Sequence, residues 1–338
     1  METKRLYLGE SREKSINEAA EILKKGGIVA IPTETVYGLA ASALNSNAIS
    51  DVFMAKGRPQ DNPLIVHVDS VEMLNAVAKD IPEKAYECAR LFWPGPLTMV
   101  LSSNGYVCKE VSAGLDTVAV RMPKDQIARE IISKSKLPLA APSANISGSP
   151  SPTSPEHVLT DLVGNIDGVI IGNECEVGVE STVISVNHNG ARLLRPGAVT
   201  VEQLREIFPN IIIDKAILSE PESGQRVASP GMKYKHYAPK TELYLVEADS
   251  KTFCDFINGN NYTAVCFEEE INDINGESFV YGTVSKPESM AHNLFGVLRE
   301  LDLKGVEKAY VHAPEKSGVG LAVYNRLIRA CAFKVVKL

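Results

Sequence analysis

Six stretches of this 338-residue chain carry side chains suited to holding anions. Lys56-Gly57-Arg58-Pro59-Gln60-Asp61-Asn62-Pro63 runs two cations and two amides into an apolar strand, Leu64-Ile65-Val66-His67-Val68. Pro32-Thr33-Glu34-Thr35-Val36-Tyr37-Gly38 leaves another apolar stretch as an exposed loop and clusters Thr33, Thr35 and Tyr37. Ala141-Pro142-Ser143-Ala144-Asn145-Ile146-Ser147-Gly148, continued by Ser149 to Thr153, offers small residues, hydroxyls and an amide, so that backbone N–H groups can cradle an anion. Finally, Arg121 ends the apolar Thr117–Val120 run and Arg195 follows Leu193-Leu194, near Glu180-Ser181-Thr182. A buried guanidinium needs a partner, either a structural carboxylate or a ligand carboxylate or phosphate in bidentate geometry.

Each of these has a bland explanation when taken singly. Lys56 suits a helix C-terminus, where a cation is favoured by the dipole. Arg58 can be solvated, and a lone His67 on an apolar strand is more often a satisfied core residue than a functional one. The 141–153 stretch can be a flexible Ser/Pro loop. Against that, it springs directly from an apolar strand, as functional loops on rigid scaffolds do.

Several chemistries are missing. The chain has no G-x-x-x-x-G-K-[ST] phosphate loop, no H-E-x-x-H and no G-x-S-x-G. Gly318-Val319-Gly320-Leu321-Ala322-Val323 imitates a dinucleotide fingerprint, but its sixth position is Val and no room follows for the acidic ribose ligand. It reads as tight strand–helix packing. Six scattered cysteines show no C-x-x-C or zinc spacing, and no dedicated carboxylate cage for a metal is evident. The N-terminus lacks the apolar centre of a secretory signal, and no apolar run is long enough to span a bilayer. A cytoplasmic protein without membrane contact is expected. The net charge is −7 and neither half is basic, which argues against a broad nucleic-acid-binding surface.

These loops need an α/β scaffold. Ser15-Ile16-Asn17-Glu18 reads as a capping box opening a helix that ends at Gly26-Gly27, followed by a strand from Gly27 to Ile31 and a helix over about 48–55. Strands are expected at 97–101, 118–122, 137–141, 169–171, 181–186 and 192–194, with helices at 124–133, 155–162 and 201–208. The spacing predicts an open, mixed, twisted sheet over residues 1–210. Residues 211–240 are rich in Pro, Gly and Ser and read as a linker. Residues 241–338 alternate strand and helix as a smaller Rossmann-like α/β domain. Its strands fall at 242–247, 262–267, 278–281 and 308–312 and its helices at 250–257, 288–301 and 319–331.

With these residues in place, the chain resembles the YrdC-type threonylcarbamoyl-AMP synthases in their long, two-domain form. The matching segments are PTETVYGLA (32–40), KGRPQDNPLIVHV (56–68), WPGPLTMVL (93–101), TVAVRMP (117–123), APSANISGSPSPT (141–153), ESTVISV (180–186), LLRPGAV (193–199) and SPGMKYKHYAP (229–239). The resemblance implies an open α/β domain with a concave, positively charged groove. It implies an enzyme, a nucleotidyltransferase, that joins L-threonine, bicarbonate and ATP into threonylcarbamoyl-AMP and releases pyrophosphate. Partner proteins would then transfer the threonylcarbamoyl group to the adenosine beside the anticodon of ANN-reading tRNAs, and a weak tRNA contact by this chain is left open.

By the same resemblance, ATP would be contacted by Arg58, Asn62, Thr117, Ser143, Asn145, Ser151, Arg195 and Tyr234, with Mg²⁺ arriving on the nucleotide. L-threonine would be held by Thr35, His67, Arg121, the Ala141 backbone and Ser181. Lys56 and Arg58 would act in catalysis, Lys56 beside the phosphates or carbonate. Residues 226–240, with Arg226, Lys233, Lys235 and Lys240 and no acidic side chain, would form a lid over the groove. Three alternatives are a non-catalytic RNA-binding module, a carbamoyl-adenylate enzyme like those of hydrogenase maturation, and an ATP sensor. The second would bring acylphosphatase and zinc-finger-like regions, which are absent from this sequence.

Overall fold

The computed structural model describes residues 2–9, 11–219 and 237–338. Tyr234 and most of the expected lid lie outside the described residues.

The larger sheet comprises β1 (Lys4–Tyr7), β2 (Val29–Ile31), β3 (Gly38–Ser42), β4 (Ile65–His67), β5 (Leu97–Ser102), β6 (Thr117–Arg121), β7 (Leu139–Ala140), β8 (Gly168–Ile171), β9 (Thr182–Asn187), β10 (Gly190–Arg195) and β11 (Ile212–Ile213). Its spatial order is β1-β8-β2-β3-β7-β4-β6-β5-β9-β10-β11, with parallel and antiparallel neighbours mixed. Its helices are α1 (Arg12–Lys24), α2 (Ser46–Lys56), α3 (Val71–Val77), α4 (Glu83–Phe92), α5 (Lys109–Ser112), α6 (Gln126–Ser135), α7 (Pro155–Leu162) and α8 (Val201–Ile207).

The strands alternate their side chains between two cores, as the period of two demands. Val29 and Ile31 join Ile16 and Leu23 of α1 and Ile131 of α6, whereas Ala30 joins Ile49 and Val52 of α2. A sheet covered on both faces lets its strands be apolar at every position, and β2, β3 and β4 are buried throughout.

The second sheet is β12 (Glu242–Glu247), β13 (Ala264–Phe267), β14 (Ser278–Gly282), β15 (Lys308–His312) and β16 (Val335–Lys337), in the order β14-β13-β15-β12-β16. All its pairings are parallel; α9 (Ser250–Asn260), α10 (Pro287–Leu303) and α11 (Gly318–Ala330) supply three of the four crossovers, and the 3₁₀ segment Glu268–Asp273 lies in the fourth, between β13 and β14. The two domains meet through apolar contacts, with Val36 and Val179 in the second domain's core and Leu321 of α11 in the first domain's, and through polar ones. Arg299 of α10 grips Asp161 of α7 at 3.0 and 2.7 Å, and the His292 ring lies 3.1 Å from the Glu176 carbonyl. Asn325 and Arg329 of α11 donate to the carbonyls of Ile217 and Ala216.

Three local expectations are corrected. Helix α1 begins at Arg12 after Ser11, so Ser15 does not cap it; the Ser15 hydroxyl donates instead to the Tyr7 carbonyl, tying the helix to β1. The 32–38 segment is not an exposed loop. Thr33, Glu34, Thr35 and Tyr37 are all buried, because the next residues, small and without strand-forming side chains, nonetheless enter the sheet as β3 between β2 and β7. Strand β7 is also shorter than the expected 137–141, and Ala141 already belongs to the loop.

Gly178 lies where the domains touch. Its φ is +82°, and a Cβ there would fall 2.4 Å from both the Ala291 carbonyl oxygen and the His292 Cα of α10. Gly178→Ala therefore combines a left-handed backbone with a clash, and it should destabilise the protein by at least about 2 kcal/mol. The urea midpoint measures this, and an unchanged midpoint would rule out so close an approach of α10.

Candidate active site

The register of three short strands makes one wall of the site. β4 lies between β6 and β7, pairing His67 with Arg121 on one side and with Leu139 on the other. Arg121 is buried at 4% exposure. Its Nε donates to the Gly95 carbonyl at 3.3 Å and its Nη1 to Thr35 Oγ1 at 2.8 Å. The buried Glu34 carboxylate sits 2.7 Å from Nη2 in ionic contact, yet neither group is aligned there as a hydrogen bond. Burial disfavours the charge on Glu34, but Arg121 more than compensates and holds the carboxyl below its ordinary range. Thr33 Oγ1, 2.8 Å from Thr35 Oγ1, donates to or accepts from it while also fixing the turn at Val36.

The second wall is the loop after β7. Helix α2 is capped by the Asn45 side chain and ends at Gly57, whose φ of 58° turns the chain out of the helix. This puts Lys56 on the last helical turn, fully enclosed. Its Nζ donates to the carbonyls of Ser143 and Asn145 at 2.5 and 2.6 Å, and its own carbonyl accepts from Ser147 N. Burial, aided by Arg58, pushes the Lys56 ammonium well below its ordinary range. Asn62 is 1% exposed, and both polar atoms of its side chain lack a hydrogen-bond partner among the described residues. Asn145 Oδ1 is also unpartnered there, although its Nδ2 donates to Ile146 and Ser149. Buried amides left this way are costly unless a ligand or water completes them.

The third wall comes from β9 and β10. Arg195 donates from Nε to the Ser181 carbonyl at 3.0 Å and from Nη2 to Ser181 Oγ at 3.2 Å, and Ser181 Oγ also meets Thr98 Oγ1 at 2.8 Å. Glu180 accepts from Ser151 Oγ at 2.5 Å and from Arg326 Nε at 2.8 Å.

Thr35, Arg58, His67, Arg121, Ala141, Ser143, Ser181 and Arg195 all line one cleft. Asn62, Asn145 and Ser151, on the loops that shape it, and Lys56, on the last turn of α2, lie behind its surface. Thr117 stands at the far end of β6 from Arg121, on the same strand face, about 13 Å away at the usual rise per residue. Four participants were given no role in the sequence. Glu34 and Glu180 lie inside quoted motifs, and the need of Arg121 for a carboxylate was a usable signal for the first. Tyr237, which lines the cleft, lies inside the quoted 229–239 segment, whereas Arg326, which comes from the other domain, had no signal.

The buried His67 has its pKa depressed to about 3, first by burial and then by Arg121. It is therefore neutral at physiological pH. Since the unfolded chain takes up that proton near 6.5 and the folded one only near 3, stability is lost as the pH falls below 6.5. His157, depressed to about 4, adds to the same slope, whereas the low-lying carboxyls of Glu34 and Glu180 act only below about 4.5. The melting temperature should fall between pH 7 and pH 5, and His67→Asn should shrink that fall. A melting temperature that is flat over this range would refute a buried neutral His67.

Comparison with known proteins bears on what this cleft is. The family described as "Telomere recombination", of Sua5, YciO and YrdC proteins, matches residues 21–197. The family described as "Threonylcarbamoyl-AMP synthase, C-terminal domain" matches residues 199–332. The threonylcarbamoyl-AMP synthase of Pyrococcus abyssi is 44% identical, with 96% of each chain covered. That of Bacillus subtilis is 40% identical over the whole of both chains. A solved structure of P. abyssi Sua5 complexed with L-threonine is 41% identical, covers 100% of both chains and superposes with a TM-score of 0.90. This chain belongs to the threonylcarbamoyl-AMP synthase family, in its two-domain form.

Proposed function

We propose that this chain joins L-threonine, bicarbonate and ATP into L-threonylcarbamoyl-AMP, releasing pyrophosphate, as a nucleotidyltransferase. In this reading it performs the first step of threonylcarbamoyladenosine formation in ANN-reading tRNAs, in the cytoplasm, and partner proteins carry out the transfer to tRNA. The observation that carries the proposal is the convergence of Arg58, Arg121 and Arg195 with Thr35, His67 and Ser181 on one cleft.

The chemistry asks for such a site. The threonine amine attacks bicarbonate, forming the N–C bond and expelling water, which leaves an N-carboxy-threonine. A carbamate oxygen then attacks the α-phosphorus of ATP, and the bond to pyrophosphate breaks. Both reactants are anions, so fixed cations must offset their repulsion. Nη1 of Arg121 donates one N–H to Thr35 and Nη2 meets Glu34 in ionic contact, and the second N–H of each we assign to the threonine carboxylate. Thr35, Ser181 and the Ala141 backbone complete that pocket. His67 serves as a neutral hydrogen-bonding partner, since its low pKa makes it a poor store for a proton. Arg58, Asn62, Thr117, Ser143, Asn145, Ser151, Arg195 and Tyr234 are assigned to ATP. Lys56 contributes by holding the carbonyls of Ser143 and Asn145, which aims the loop's remaining groups at the nucleotide.

Mg²⁺ enters with ATP, where it neutralises phosphate charge. The described residues contain no cluster of three His, Cys, Asp or Glu side chains able to hold a metal.

Purified protein should release pyrophosphate from ATP only when L-threonine and bicarbonate are both present. Nucleotide or RNA binding without that release would favour the non-catalytic reading. Arg121→Lys keeps the charge but loses the planar fork, and the KM for threonine should rise about ten-fold, ~1.4 kcal/mol, with little change in the KM for ATP. Lys56→Ala should lower turnover. Unchanged turnover would remove Lys56 from the machinery.

A further inference from the structure

Glu180 poses a problem for a site that receives a triphosphate. It is a carboxylate on the lining of the cleft, beside the residues assigned to ATP, and left alone it would repel the nucleotide. Arg326, from the middle of α11 in the second domain, resolves the problem. This side chain is fully buried at 0% exposure and lies against the floor of a site formed by the other domain. Its Nε donates to Glu180 Oε2 at 2.8 Å and its Nη2 to the Glu180 carbonyl at 3.2 Å. Its Nη1 donates to the Pro196 carbonyl at 2.7 Å, next to Arg195, and to Asn325 Oδ1 at 3.0 Å. The guanidinium also lies 5.7 Å from the ring centroid of Tyr237.

With one carboxylate oxygen held by Arg326, Glu180 turns the other to Ser151 Oγ at 2.5 Å. The residue before Ser151 is gripped from the same domain: Arg299 Nη2 donates to the Pro150 carbonyl at 2.6 Å while its guanidinium holds Asp161. The 150–151 segment is thus fastened by two guanidiniums of the second domain, one directly and one through Glu180. Burial opposes the charge on Glu180, but Arg326, Arg195 and the Ser151 hydroxyl outweigh it and hold its carboxyl below the ordinary range.

We infer that Arg326 of the C-terminal domain is a positioning residue for nucleotide binding, acting through Glu180 on Ser151 and through Pro196 on Arg195. It neutralises the Glu180 carboxylate on the lining of the cleft and fixes Ser151, just behind that lining, and Arg195 in place for the phosphates. The inference rests on the proposed use of the cleft for ATP. It gives the second domain a direct part in completing the site, without any contact of its own with substrate.

The test uses the full-length protein and its Arg326→Lys, Ser151→Ala and doubly substituted variants. Dissociation constants for ATP with Mg²⁺ come from calorimetry, and KM values for ATP and threonine come from pyrophosphate release. Arg326→Lys keeps the charge but cannot span Glu180 and Pro196 together, so ATP should bind about ten-fold more weakly with the KM for threonine within two-fold of normal. In the Ser151→Ala background the same substitution should weaken ATP binding by clearly less than ten-fold, because part of its route is already cut. Effects that multiply fully, or equal losses for both substrates, would overturn the relay. Glu180→Gln is the second probe should Arg326→Lys fold poorly. It removes the charge that pairs with Arg326 and orients Ser151 without stranding a carboxylate, and unchanged ATP affinity in it would also overturn the relay. ATP binding without pyrophosphate release in the parent protein would sink the proposed activity while the calorimetry still decides the role of Arg326. A parent protein that does not bind ATP would sink both.

Discussion

Burying cations together is the constraint from which most of this site follows. Arg121 and Arg195 are nearly excluded from solvent, and Arg58 shares the same cleft. Guanidiniums held this close in a poorly solvated place repel one another, and each loses the hydration it had in the unfolded chain. The fold answers with carboxylates, one behind the cleft and one on its lining. Glu34 stands at Arg121, and Glu180 stands between Arg195 and Arg326. Backbone carbonyls of Gly95, Ser181 and Pro196 take up further N–H groups. Each arginine can then stay charged and ordered while part of its fork faces the cleft, which is what an anion-receiving site requires before the anion arrives.

Such balance demands accurate placement, and very short strands supply it. β4 and β7 have three and two residues, yet β4 pairs on both sides and thereby fixes His67 against Arg121. A one-residue slip would turn both side chains to the opposite face. The loops leaving these strands are then tied at their backbone rather than at their tips. Lys56 holds two carbonyls of the 143–145 turn, Tyr37 N donates to the Pro152 carbonyl, and Ala144 N donates to Tyr37 O. Loops braced this way behave as parts of the scaffold although they carry the site's chemistry.

How much of this the sequence discloses depends on the range over which each feature is determined. The Rossmann-like half was legible nearly element by element, because parallel strands buried on both faces and amphipathic crossover helices leave local patterns; β12, β15 and α10 fall within a residue or two of expectation. β3 was missed because Gly38-Leu-Ala-Ala-Ser lacks strand-forming side chains, and it is a strand only through its neighbours. The capping box at Ser15 was a local pattern overridden by a tertiary contact with β1. In the site, the arginines could be singled out because a charge at the end of an apolar strand is anomalous. Their partners could not all be found this way. Arg326 sits 146 positions from Glu180, in a helix buried at every position from Val319 to Ala330, and nothing local marks the carboxylate it meets in the other domain.

That long-range pairing also explains why the interface between the domains, apolar at Val36 and Val179, carries buried arginines beside the cleft as well. An apolar contact would hold the domains together equally well, but it could not cancel the charge of Glu180 or occupy the carbonyls of Pro150 and Pro196. Arg299 and Arg326 do both, and their planar, multiply donating heads suit that work better than lysines would. Replacing such buried pairs by apolar side chains often costs a protein no stability. Their place beside the cleft is therefore better accounted for by what they do to the site's electrostatics than by what they add to the fold. The second domain is then a part of the binding apparatus, reaching the cleft from behind.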